Sequence, residues 1–173
     1  MYMSRKYAFS WNLLGDLELG RPNLGNFTRL EVYRLMQYTL RDVIESKIGT
    51  QETDKIFYDA GKMAGLVFYE HFLQGAKDVG EFAKKLQSVL KEMKIGVLRI
   101  ESMTDGAEKL TLTVDEDLDC SGLPETDDEI CVYDEGFIAG ILENFTGRSY
   151  IVKEIDCWCT GDRTCRFTAD ATA

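Results

Sequence analysis

At Gly96 the spacing of apolar residues changes from three-to-four to two, and this switch restricts the chain to a mixed architecture of helices followed by strands. Upstream, Leu30, Tyr33, Leu35, Met36, Leu40, Val43 and Ile44 recur at helical spacing from a cap at Asn26 or Thr28 to a stop at Gly49. A second helix from Thr50 or Thr53 to about Gly75 carries Ile56, Phe57, Ala60, Met63, Ala64, Val67, Phe68, His71 and Phe72 on one face. Gly61 and Gly65, one turn apart on it, read as close helix packing. A third helix is capped by Asp78, presents Phe82, Leu86, Val89, Leu90 and Met93, and ends by Gly96.

Downstream, Val97–Val114 alternates about Asp105-Gly106 as a hairpin. Ile130–Phe145 reads as a fourth helix with the stripe Ile130, Phe137, Ile141 and Phe145, where Gly136 and Gly140 suggest close packing on a sheet. Ser149–Cys157 and Thr164–Thr168 form a second hairpin through Gly161. The expected fold class is therefore α+β, with helices packed on a twisted antiparallel sheet of two hairpins. Residues 1–25, rich in turn signals, read as an extended arm or small hairpin, and 26–173 as a single domain.

Charge and composition narrow the function. The formal net charge of -10 argues against direct nucleic-acid binding. No run approaches the ~20 apolar residues of a membrane span, and the N-terminal residues lack the apolar core of a secretory signal, so the expected location is cytoplasmic. Eight of the fifteen residues from Asp115 to Glu129 are acidic, which reads as a solvated loop without the ligand pattern of a calcium site.

Four of the five cysteines fall between Cys131 and Cys165. With a turn centred on Gly161, Cys157 faces Cys165 across the hairpin and Cys159 shares their parity. Glu154 points to the opposite face of an ideal strand unless a bulge intervenes. Thiolates with a carboxylate suit tetrahedral zinc; ordinary buried thiols and a Cys157–Cys165 disulfide are the competing readings. Cys120 reads as a loop or strand-edge thiol. With His71 the only histidine there is little from which to build a catalytic triad, and no glycine-rich dinucleotide loop follows a strand.

The segment from Cys131 through Gly147-Arg148 to Glu154-Ile-Asp-Cys157 and Gly161-Asp162-Arg-Thr-Cys165-Arg-Phe167 resembles the C-terminal signature of the vinyl-4-reductase, or hydrocarbon-binding, domain family. The resemblance implies a fold shared with TRAPP transport-complex subunits and with the phenol- and toluene-sensing domains of bacterial activators. It also implies structural Zn2+ held by Cys131, Glu154, Cys157 and Cys165, with a strand irregularity near Ile155-Asp156 and Cys159 outside the ligand set. A small hydrophobic or aromatic ligand in an enclosed pocket and a homodimer are further implications. Candidate pocket residues are His71, Phe68, Phe72, Leu110, Leu112, Phe137 and Tyr150, although His71 equally suits a bond to a backbone carbonyl. Trp11 suits a pocket cap or, in preference, a dimer seam. The reading that follows is a ligand-binding or sensing module; an enzyme or accessory of tetrapyrrole vinyl reduction and an interaction module without exchangeable ligand are its alternatives.

Overall fold

Alternating burial along the last strands decides which face of the sheet is covered. The computed structural model describes residues 6–172; residues 1–5 of the expected arm lie outside the described residues. Strands β1 (Val97–Met103), β2 (Lys109–Asp115), β3 (Tyr150–Asp156) and β4 (Cys165–Ala171) form one antiparallel sheet in the order β1-β2-β4-β3. Leu110, Leu112 and Val114 of β2, Val152 and Glu154 of β3, and Cys165, Phe167 and Ala169 of β4 are buried at period two. The two hairpins thus join through β2 and β4 with the expected α+β layering.

Five helices accompany the sheet among the described residues: α1 (Leu17–Gly20), α2 (Leu30–Ile48), α3 (Thr50–Phe68), α4 (Val79–Glu92) and α5 (Val132–Thr146). Helix α3 continues into a wider π turn at Tyr69–Leu73. Asp78 caps α4 by accepting from the Glu81 N–H at 2.8 Å, and Phe82, Leu86 and Leu90 pack its face toward the sheet. Helix α4 lies on β1, while α5 lies against both β3 and α3.

Three local expectations are corrected. The segment before residue 25 has a 3-10 turn at Trp11–Leu14 and the short α1 in place of an extended arm or hairpin, with the Asp16 side chain accepting from Leu19 N–H. Gly136 and Gly140 face α3, not the sheet. A Cβ at Gly136 would lie 2.8 Å from the Lys62 nitrogen, and one at Gly140 2.9 Å from the Leu66 nitrogen, while Gly61 and Gly65 meet the α5 backbone in return. Four glycines therefore let two helices touch backbone to backbone.

Helix α2 is inverted relative to its apolar pattern. Val32, Leu35, Met36, Leu40 and Val43 are exposed, and none of its residues is fully buried. Its inner face is polar: Tyr33, Arg34, Gln37 and Tyr38, which recur at helical spacing, grip the loop after β2. The stretch expected to be solvated is therefore partly internal, with Asp117, Asp119 and Cys120 all buried.

Candidate functional site

The loop after β2 turns inward because its own side chains organise it. The Asp117 carboxylate accepts from the backbone N–H groups of Asp119 (2.8 Å) and Cys120 (3.1 Å). The Arg34 guanidinium donates to the carbonyls of Leu118 and Ser121, each at 2.9 Å. Tyr33 hydroxyl and Gln37 amide donate to the Asp119 carboxylate, both at 2.7 Å. Held in this way, Cys120 Sγ lies 3.0 Å from Cys165 Sγ.

The hairpin supplies the next two thiols. Pairing runs Tyr150↔Ala171 to Glu154↔Phe167, then shifts so that Asp156 faces Arg166. Ile155 is the extra residue of a bulge, and it is exposed. The slip returns Cys157 to the same buried side as Glu154, which resolves the parity conflict. Cys131, the residue that precedes α5, completes the group at 3.9 Å from Cys157 Sγ and 3.8 Å from Cys165 Sγ.

The sulfurs of Cys120, Cys131, Cys157 and Cys165 all lie within 4.8 Å of one another and are buried. Four thiolates at ~2.3 Å from a tetrahedral zinc sit roughly 3.8 Å apart, so the two longer separations already match those around a bound ion. The all-sulfur donor set fits a soft tetrahedral cation. Hydrogen bonds from Cys120, Cys131 and Cys165 push Cys157 far toward thiolate, whereas hydrogen bonds from Cys120, Cys157 and Cys165, Cys120 foremost, push Cys131 up.

Glu154 adjoins this group. Its Oε2 accepts from Cys131 N–H at 3.1 Å, while Oε1 is buried without a partner. Burial, then the Cys157 charge, pushes its carboxyl up to about 8. Glu135 secures the arrangement by accepting from Glu154 N–H (2.9 Å) and Lys153 Nζ (2.8 Å), which ties α5 to β3. Cys159 is buried on the 3-10 turn Trp158–Thr160, not on a strand, and stays outside the cluster. Cys120, expected apart from the site, is the thiol that sequence reasoning missed; its only signal was a cysteine amid polar loop residues.

Beside the thiols is a cavity of about 260 Å³ whose walls include Trp11, Tyr33, Phe68, Tyr133 and Phe137 together with Asp119 and Asp134. A narrow cleft of about 40 Å³ between α4, α5 and the sheet shares Ile95, Asp134 and Phe137 with it and is lined by Leu110 and Leu112. Of the candidate pocket residues, Phe68 and Phe137 face the larger cavity and Leu110, Leu112 and Phe137 the cleft. Tyr150 instead donates to Ala107 carbonyl at 2.7 Å, and His71 is exposed with Nδ1 3.0 Å from Val67 carbonyl. Phe72 packs on Phe68, and Trp11 stacks on His71 at 4.1 Å and closes the cavity instead of projecting as a free seam residue.

The cysteine cluster, the bulged hairpin and α5 are built largely from one matched segment. Residues 110–171 match the vinyl-4-reductase domain. The signature Cys131–Phe167 lies inside that match. An uncharacterized protein of Methanocaldococcus jannaschii is 24% identical over 144 residues, covering 83% of this chain and 78% of the relative. A vinyl-4-reductase family protein from the same organism has a similar fold, with TM-score 0.60 and 15% identity over 86% of this chain and 85% of that one. The phenol-responsive sensory domain of the activator PoxR gives 0.62 at 12% identity, covering 84% and 76%. A trafficking protein particle complex subunit 3 from Naegleria fowleri gives 0.63 at 11%, covering 83% and 95%. The expectation of a fold shared by vinyl-4-reductase domains and TRAPP subunits is met. Among the described residues no helix is long and apolar enough to cross a membrane.

Proposed function

We propose that this chain is a small-molecule-binding module of the vinyl-4-reductase type, with a cavity for an apolar organic ligand and a structural zinc held by Cys120, Cys131, Cys157 and Cys165. The observation that carries the reading is that the same two segments build both features. The loop after β2 contributes Leu118 and Asp119 to the cavity and Cys120 to the thiols; α5 contributes Tyr133, Asp134 and Phe137 to the cavity and follows Cys131. Bound zinc would clamp these segments to the β3–β4 hairpin and so hold the cavity wall, a structural role since four thiolates leave no open position. Glu154 is assigned to orienting Cys131 through its N–H, in place of the direct ligation that the family resemblance implies. The phenol bound to the PoxR domain and the palmitic acid on the transport subunit support an organic occupant for this fold.

Metal analysis of protein purified without added metal should find about one zinc per chain. Cys120→Ser should lose it and Glu154→Gln retain it. The opposite ranking would restore Glu154 as the fourth ligand. Mass spectrometry of organic extracts should release a small apolar compound; an empty extract, together with no binding of aromatic probes, would favour the interaction-module reading.

The homodimer is proposed to form through α2, whose exposed Val32, Leu35, Met36, Leu40 and Val43 make one apolar stripe. Met36→Glu with Leu40→Glu should shift the light-scattering mass from dimer to monomer without unfolding. An unchanged mass would place the seam elsewhere.

A further inference from the structure

The cavity reading leaves Asp134 unexplained. Its place in the first turn of α5 suits the helix dipole, but its Oδ2 is buried with no hydrogen-bond partner. A buried carboxyl without a donor carries an uncompensated desolvation cost. Asp134 lies on the wall shared by the larger cavity and the narrow cleft. Asp119, the other acid on the wall of the larger cavity, already receives the Tyr33 hydroxyl and the Gln37 amide.

The surroundings of Asp134 are of one sign. The groups acting on it electrostatically are Asp117, Asp119, Cys165 and Glu154, all acidic. No lysine or arginine lines the cavity among the described residues, and the nearby Arg34 is engaged by the carbonyls of the loop. The remaining walls offer the aromatic rings of Trp11, Tyr33, Phe68, Tyr133 and Phe137. Aromatic faces with a carboxylate among them are the general means of binding organic ammonium groups, because ring quadrupoles and anion attract the same cation.

We propose that the cavity is selective for small apolar amines carrying a positive charge, with Asp134 as the residue that determines this specificity and the aromatic walls as the cage around the ammonium group. The inference rests on the cavity reading above and adds the charge of the occupant. An anionic amphiphile of the same shape is excluded by Asp134 and Asp119, since like charges in a low-dielectric site repel strongly. A neutral alcohol fits the space but gains neither the ion pair nor the cation–π contacts.

The test uses three probes of one skeleton, 2-phenylethylamine, 2-phenylethanol and phenylacetate, titrated calorimetrically into the intact zinc-loaded protein at one ionic strength. The amine should bind about tenfold or more tighter than the alcohol, a difference of one decade in Kd, and phenylacetate should not bind. Asp134→Asn should reduce the amine preference to within about twofold while the alcohol still binds. Trp11→Leu, outside the core, should weaken the amine more than the alcohol and so covers the case in which the Asp134 variant does not fold. Equal binding of amine and alcohol, or tight binding of phenylacetate, overturns the charge selectivity and leaves the cavity reading standing. Failure of all three probes overturns both.

Discussion

Cys165→Ser should release the metal and lower stability by roughly 4 kcal/mol, the range in which loss of a metal site lies. For a domain of this size that corresponds to a fall in Tm of about 10 °C. Cys165 touches Cys120 on one side and Cys131 on the other, so its loss disconnects the acidic loop, the start of α5 and the hairpin together. Cys159→Ser is the control: it is equally buried but outside the cluster, and should cost only about 1–2 kcal/mol for burying a hydroxyl. Circular dichroism melts with metal analysis on the same samples check both. Equal losses for the two variants would mean that all five thiols act as ordinary core.

Gly140→Ala should destabilise the protein by about 3 kcal/mol, against the usual gain from replacing glycine by alanine inside a helix. The added Cβ would meet the Lys62 and Leu66 backbone, which does not give way as a side chain tip would. Helices α3 and α5 would have to separate, and with them Phe68 and Phe137, whose rings meet at 5.1 Å on the cavity wall. Gly80→Ala is the matched comparison: that glycine is exposed in α4 and should gain up to about 1 kcal/mol. Denaturant midpoints at constant m value measure the difference; a neutral Gly140→Ala would refute the backbone-contact account. Weaker probe binding by the same variant would link this packing to the cavity.

Local rules account for what was legible. The change of period at Gly96, the cap at Asp78 and the Gly161 turn each act within a few residues, and the corresponding helices and hairpins form where those signals place them. The bulge at Ile155 was legible only through the resemblance, since composition cannot say which strand residue is left unpaired. Helix α2 misleads because periodicity locates an apolar stripe but not what covers it. Its apolar residues lie outward while Tyr33, Arg34, Gln37 and Tyr38 take the inner face. Cys120 and Asp119 escape a local reading for the related reason that acidity predicts solvation only when no neighbouring element supplies donors, and α2, more than eighty residues earlier, supplies them.

Neighbouring residues are enough to specify the elements, their order and the three thiols of the C-terminal signature, because period, turn chemistry and residue spacing are properties of short stretches of chain. Packing settles the fourth thiol, the partners of the four glycines and the unpaired Asp134 in an aromatic-walled cavity. Each of these depends on segments distant in sequence meeting in space, where the geometry of close approach and the supply of hydrogen-bond donors are set by the packed whole.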